Sequence, residues 1–455
     1  MIRKLIRRVL RLPTLPHGGA QALPLKKHGV TREQISPAAL KVTDKLQAAG
    51  YTALVVGGAV RDLLLGRDPK DYDVATNATP EEVQRVFGRR ARIIGRRFRI
   101  VHVPFGPEII EVTTFRGDTH DSHTDEETGR ILRDNVWGDQ EQDARRRDFT
   151  ANALYYDPSK QVVYDYHHGL QDLEKRQLVM IGDPERRYRE DPVRMLRAVR
   201  LSAKLGLKIE KGTDAPIATL IPLLDDVPQA RLFDELTKML VSGAASACLE
   251  ALYESGLYKA VMPQLGRVMA SPADRAFLKT AMQATDDRIT AGKPVNPAFQ
   301  LAALLWPQVQ RRWEQLQGSG QSSIQAIMNA IEDVLDQNRG LAPARLSGTM
   351  REIWSLQPRF EGRVGRKPFR LLEHPRFRAS YDFLLLRATE DESLAELADW
   401  WTKFQEADAA EQTKMLQPER TDPAKKKRRR RRRKPAGEEG GPDSAADNMD
   451  DGGDE

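Results

Sequence analysis

The sequence predicts an α+β protein in which a mixed α/β head is followed by an all-α body. Three observations predict it. Between residues 35 and 178, short β-branched apolar runs alternate with segments of helical spacing. From about residue 184 the strand signals nearly vanish and helical periodicity takes over. From about residue 407 the periodicity is lost and the composition turns to charge, Gly and Pro, as in disordered tails. A length of 455 residues with 40% hydrophobic residues allows two to four packed units.

In chain order, residues 1–34 read as a basic flexible arm. Within it, residues 2–11 place Ile2, Leu5, Ile6 and Val9 on one side of a short cationic helix. Such a helix can touch a membrane surface weakly, although a frayed arm is the simpler account. The head, 35–178, opens with a helix over 37–49, a strand over Tyr51–Val56 and a short helix over Ala59–Leu65. A strand over Asp71–Ala75 and a helix over Pro80–Phe87 capped by Thr79 follow. Ile100–Phe105 and Glu108–Phe115 form a hairpin turned at Gly106-Pro107, and 117–135 is a polar loop. A neck over 179–240 and a helical body over 241–406 carry helices at 192–205, 229–241, 245–257, 298–318, 321–337 and 379–406. Residues 407–455 form the tail.

Charge separates function classes. Lys425, Lys426, Lys427, Arg428, Arg429, Arg430, Arg431, Arg432, Arg433 and Lys434 are ten consecutive cations, and residues 436–455 carry eight acids and no base. Without both segments the remainder is still net +5. A basic body with a polycationic run points to a polyanionic partner such as RNA. No apolar run reaches the roughly 18 residues of a membrane span, so no stable membrane insertion is expected. A single cysteine, Cys248, excludes an intrachain disulfide and a cysteine-built zinc site. A cytoplasmic location is the expectation.

The chemistry concentrates in the head. Gly57-Gly58 sits where a strand gives way to a helix, so backbone N–H groups there can approach an anion, and Arg61 adds a charged contact to phosphate. Alone, such a pair is more often a tight turn. Asp71 and Asp73 are two apart, so a strand would put both carboxylates on one face, with Tyr72 and Val74 on the core side. Two like charges on one face call for a cation, and hard oxygen ligands beside a triphosphate suit Mg²⁺. Two ions there would activate an attacking hydroxyl and stabilise a departing pyrophosphate. Glu111, an acid inside an apolar strand, is a candidate third metal ligand. Arg145, Arg146 and Arg147 can hold triphosphate, and Asp148 can bind a ribose hydroxyl or assist the metals.

Asp191-Pro192 is an ordinary helix start, but it also offers base recognition. Asp191 can accept from an exocyclic amine, and Arg194, three residues on, can donate to a ring nitrogen. Adenine and cytosine present that order on their pairing edges; guanine and uracil present the reverse. Arg197, one turn further, reaches the same space.

These segments together resemble the class II branch of the polymerase-β-like nucleotidyltransferases, which contains the bacterial poly(A) polymerases and the tRNA CCA-adding enzymes. The matching stretches are LVVGGAVRDLLLGRDPKDYDVATNATPEEV (54–83), EIIEVTTFRGD (108–118), ARRRDFTANALYYD (144–157), DYHHGLQDL (165–173) and GDPERRYREDPVRMLRAVRLSAKLG (182–206). They cover most of 51–210. The resemblance implies a polymerase-β-like nucleotidyltransferase head, a neck for base recognition and RNA binding, and ATP as substrate. It puts Asp71, Asp73 and Asp148 on the active-site acids, and Gly58, Arg61, Arg147, Asp191, Arg194 and Arg197 on nucleotide-binding positions. Asp148 therefore ranks above Glu111 for a catalytic role, and the third metal ligand stays open between them.

Three features are similar to the poly(A) polymerase side of the branch: the stretch 225–235 (DDVPQARLFDE), the stretch 370–382 (RLLEHPRFRASYD) and the Arg/Lys-rich C-terminus. The expected activity is adenylate addition to RNA 3′ ends, in mRNA processing and RNA turnover. A CCA-adding enzyme and a catalytically inactive RNA-binding protein are the alternatives.

Overall fold

The computed structural model describes residues 19–95, 99–117, 123–124, 131–133, 136–341 and 343–416. The cationic run 425–434 and the N-terminal segment 2–11 lie outside these residues.

The head is an eight-stranded mixed sheet. In chain order the strands are β1 (Gln21–Pro24), β2 (Ala53–Val56), β3 (Asp73–Thr76), β4 (Arg92–Ile94), β5 (Ile100–Phe105) and β6 (Glu108–Thr114). Two short strands outside this sheet, β7 (His123–Thr124) and β8 (Ile131–Arg133), pair with each other; β9 (Leu154–Asp157) and β10 (Val162–Asp165) complete the large sheet. The spatial order is β1-β10-β9-β2-β3-β6-β5-β4, with β3 and β6 parallel and the other pairs antiparallel. β2 and β9 are buried along their whole length because the sheet is covered on both faces at its centre. Helices α1 (Pro37–Ala48), α2 (Gly58–Leu64) and α3 (Pro80–Phe87) pack on it. Ser36 caps α1 through the Ala39 N–H, and Thr79 with Glu82 forms a reciprocal cap on α3.

Several expectations are corrected. The flexible arm does not reach residue 34: β1 pairs with β10, and Leu23 and Val30 are buried. A four-residue strand ending in Pro24 is too short for a periodicity signal, and proline is tolerated there because the strand lies at an edge. β3 starts at Asp73, so Asp71 precedes the strand rather than belonging to it. Alternation still holds through the approach, since Tyr72 and Val74 are buried and Asp71 is exposed.

After α4 (Gln140–Arg146) and α5 (Gly169–Glu174), α6 (Pro184–Glu190), α7 (Val193–Leu205) and α8 (Gln229–Leu240) build the neck. One strand pair crosses into it, β11 (Gln177–Leu178) beside β12 (Lys208–Ile209). The body contains α9 (Ala245–Glu254), α10 (Pro263–Ala270), α11 (Pro272–Thr290), α12 (Pro297–Gly318), α13 (Ser323–Gln337) and α14 (Ala344–Leu356). It ends with α15 (Lys367–Leu372), α16 (Phe377–Glu390), α17 (Ala395–Glu406) and α18 (Ala409–Met415). The expected single helix 379–406 is two, broken where Asp391 turns its carboxylate onto the Ser393 N–H. Folded structure also runs past 407, because α18 is tied back by Trp400 Nε1 donating to the Met415 carbonyl. Among the described residues, no helix is long and apolar enough to cross a membrane.

Candidate active site

Asp73 and Glu111 are register partners on the parallel strands β3 and β6. Side chains at paired positions share a face, so the two carboxylates are neighbours. Asp73 is largely buried, and burial, then repulsion from Glu111 and Asp71, pushes its carboxyl up to about 6, with Arg147 opposing. Glu111 Oε1 lies 3.3 Å from His102 Nε2. Among the described residues, no three acid, imidazole or thiol groups converge closely enough to hold an ion unaided. One or two carboxylates completed by substrate phosphate oxygens is the usual Mg²⁺ arrangement, and the crowded Asp73–Glu111 pair fits it.

Beside them stands the glycine turn. Gly57 has φ +76° and ψ −128°, a conformation open to glycine and strained for other residues. Its N–H donates to the Leu154 carbonyl at 3.2 Å, so it is not available to an anion. The requirement for glycine is the positive φ; a Cβ here would sit 3.4 Å from Arg147 Nη1, an ordinary contact distance. Arg61 is buried rather than presented to solvent. Its Nη1 donates to Asn152 Oδ1 at 2.6 Å, and its Nε and Nη2 to Asp62 Oδ1 at 2.8 and 2.7 Å. In this structure the Arg61 guanidinium bridges Asp62 and Asn152.

Asn152 was not singled out in the sequence, yet it joins three of the expected residues. It accepts from Arg61, donates through Nδ2 to Asp148 Oδ1 at 3.0 Å, and its carbonyl accepts from Arg147 Nη1 at 3.3 Å. Arg147 also donates to Asp143 Oδ2 and the Tyr155 hydroxyl. Burial works against its charge, but Tyr155 and Asp143 more than compensate and hold it firmly protonated. The i, i+4 spacing of Asp143 and Arg147 was the available signal.

Asp148 has both oxygens engaged. Oδ1 accepts from Asn152 and the Phe149 N–H; Oδ2 accepts from Arg197 Nε and Nη2 at 2.8 and 2.5 Å. Burial disfavours its charge, yet Arg197 and these hydrogen bonds hold the carboxyl well below its ordinary range. In this geometry Asp148 orients Arg197, whereas Glu111 stands beside Asp73.

Arg147, Asp148, Asp191, Arg194 and Arg197 line one cleft of about 410 Å³. Its other wall comes from α8, whose Arg231, Asp234, Glu235 and Lys238 also line it. Arg231 Nη2 donates to both oxygens of Asp191 at 3.0 Å. Glu235, nearly inaccessible, accepts from Arg200 Nε at 2.9 Å and Lys238 Nζ at 2.8 Å. Arg194 Nη1 donates to the Arg187 carbonyl at 2.7 Å. The α8 residues were missed, although their i, i+3, i+4, i+7 spacing within and beyond the 225–235 stretch marked a single helical face.

A glycine turn, paired strand carboxylates and an arginine-lined cleft fit the class of nucleotidyltransferases. Comparison with known proteins narrows this. The family described as Poly A polymerase head domain matches residues 53–179, Probable RNA and SrmB- binding site of polymerase A matches 206–269, and Polymerase A arginine-rich C-terminus matches 319–435. The chain is 46% identical over 416 residues to Poly(A) polymerase I of Salmonella typhi, covering 88% of this chain and 89% of the relative. Against Poly(A) polymerase I of Haemophilus influenzae the identity is 43%, over 86% and 89%. A CCA-adding enzyme of Bacillus licheniformis is 35% identical over 55% of this chain and 61% of its own. A solved tRNA nucleotidyltransferase complexed with a primer tRNA and an incoming ATP analog shares the fold, with 20% identity, a TM-score of 0.54, and coverage of 80% and 98%. The chain belongs to the bacterial poly(A) polymerases of the tRNA nucleotidyltransferase family.

Proposed function

We infer that this protein is a polynucleotide adenylyltransferase: ATP and an RNA 3′ hydroxyl give RNA longer by one adenylate, plus pyrophosphate, repeatedly and without a template. The observation that carries the reading is similarity to poly(A) polymerases across nearly the whole chain, joined to a cleft in which Asp191, Arg194 and Arg197 converge. The family as a whole uses a nucleotide substrate and a divalent metal. That the metal is Mg²⁺, as two ions, held by Asp71, Asp73 and Glu111, is our proposal. Its support is the register pairing of Asp73 with Glu111 and the repulsion of Asp73 by Glu111 and Asp71; substrate phosphate oxygens would complete the shell.

Each group of the chain then has a defined task. Bound Mg²⁺ would supply charge for the attacking hydroxyl and the leaving pyrophosphate. Arg147, held charged, offers its guanidinium to the triphosphate. Asp191 accepts from the adenine amine after exchanging partners with Arg231, and Arg194 and Arg197 donate to ring nitrogen atoms. Asp148 keeps Arg197 oriented, and Arg61 with Asn152 braces the wall below. The protein thereby contributes positioning and preorganised charge. RNA is held mainly through phosphates, with Lys425–Lys434 as an added polycation. The lone thiol, Cys248, is buried, in keeping with a cytoplasmic setting.

Purified protein offered generic RNA and end-shortened tRNA, with ATP and CTP separately, tests this. Long adenylate tails on generic RNA are expected. Completion of the tRNA end by three nucleotides and no tailing would reverse the assignment. Asp71→Ala or Asp73→Ala should abolish addition while preserving fold and RNA binding; activity surviving in either would refute the metal assignment.

A further inference from the structure

The last folded segment has its own core. Leu356, Phe360, Leu371, Phe377, Tyr381, Leu384, Trp401 and Phe404 form a cluster separate from the main one. Trp401 Nε1 donates to the Phe360 carbonyl at 2.8 Å, locking the 357–361 turn onto α17. α15 lies on this cluster by Leu371, with Phe369 and Leu372 packed against it. The opposite side of the same segment carries Arg366, Lys367 and Arg370, all exposed, and Arg359 is exposed on the turn before it.

These cations differ from their neighbours. Arg363 pairs with Glu396, Arg376 with Glu352 and Arg378 with Asp382. Arg359, Arg366, Lys367 and Arg370 have no ion-pair partner among the described residues. Glu361 and Glu373 are the exposed acids of the same segment; the four unpaired cations outnumber them, raise the local potential and gain most from a partner with regularly spaced negative charge. A long Arg or Lys side chain on a firm base also loses less freedom on binding than one on a loose chain.

A second observation points the same way. The described chain ends on this lobe, with Met415 and Leu416 packed against its cluster and Met415 held by Trp400. Eight residues separate Leu416 from Lys425, a span of at most about 32 Å when fully extended. The ten-cation run is thus tethered within reach of the α15 face.

We propose that the outer face of α15, Arg366, Lys367 and Arg370 together with Arg359, is a folded phosphodiester-binding surface that grips single-stranded RNA upstream of its 3′ end, beside the tethered polycation. The choice of RNA as the polyanion rests on the adenylyltransferase reading; the surface itself rests on the unpaired cations. It is tested at equilibrium without ATP, so the two fail separately.

The full-length Arg366→Ala/Lys367→Ala/Arg370→Ala protein is titrated with a labelled single-stranded RNA of about 40 nucleotides over a series of salt concentrations. Loss of three phosphate contacts should flatten the slope of log K against log salt by about 2, and weaken binding roughly tenfold at low salt. Arg366→Lys/Arg370→Lys should keep the wild-type slope, which a purely structural role for the arginines would not ensure. Single-turnover AMP incorporation on a short saturating primer should stay unchanged. A wild-type slope in the triple variant overturns the proposal. So does unchanged RNA binding combined with lost binding to anionic lipid vesicles, which would make the face a membrane contact. Wild-type protein that binds RNA but releases no pyrophosphate would sink the function reading and leave this surface intact.

Discussion

Arg197 on α7 places two N–H groups on one oxygen of Asp148, joining the neck to the loop that follows α4 in the head. Arg197 also lies 3.6 Å from Glu235 on α8. The cleft is therefore walled by charged pairs that cross element boundaries, and its shape depends on their integrity.

Removing one partner of a buried pair leaves the other uncompensated. Asp148→Ala is expected to cost about 3 kcal/mol of stability, near the low end for such losses because Arg197 is one-third exposed. Urea denaturation measures this, and ATP affinity should fall with it because Arg197 loses its orientation. Asp148→Asn should retain part of both.

The raised Asp73 carboxyl makes a statement about pH. Its folded value of about 6 exceeds the ordinary 3.8, so its favourable contribution is complete below about 3.8 and is lost as pH rises through 6. With divalent cations chelated at pH 8, Asp73→Asn should therefore be more stable than the wild type by about 1–2 kcal/mol, allowing for partial water access. Added Mg²⁺ should stabilise the wild type and leave the variant unmoved. Thermal unfolding in chelator and in Mg²⁺ distinguishes the four cases; equal midpoints in chelator would show that the buried Asp73 charge carries no net cost in the folded protein.

Gly57→Ala combines positive φ with a Cβ placed against Arg147. It should cost about 1–3 kcal/mol in stability. Backbone strain relayed through the turn to the adjoining Arg147 should also lower kcat/KM for ATP, and steady-state kinetics on the folded variant would show whether it does.

Asp191 and Arg231 form a pair whose two members should differ in effect. Arg231 is half exposed, so Arg231→Ala is expected to change kcat/KM by no more than about fivefold. Asp191→Ala removes the acceptor for the base amine and should cost about a hundredfold or more with ATP. Similar losses in both would assign the work to Arg231.

Much of the site was legible because its spacing is local. The Asp73 strand, the Gly57 turn and the Asp191–Arg194–Arg197 face all follow from positions two to six residues apart. What escaped depends on the tertiary fold. Asn152 matters only because Arg61 and Asp148 arrive from opposite sides. Glu235 reads as an ordinary surface acid until Arg197 and Arg200 close over it. Glu111 was legible as a candidate third metal ligand because it is an acid inside an apolar strand, and the register of β3 and β6 places it beside Asp73.

β1 has a practical bearing on how the protein is handled. Gln21–Pro24 covers the outer N–H and C=O row of β10, and proline closes the margin. A truncated version designed to begin after residue 30, where the sequence invites a cut, would uncover Val162–Asp165 and leave a sticky rim open to self-association. Expression boundaries belong ahead of Gln21.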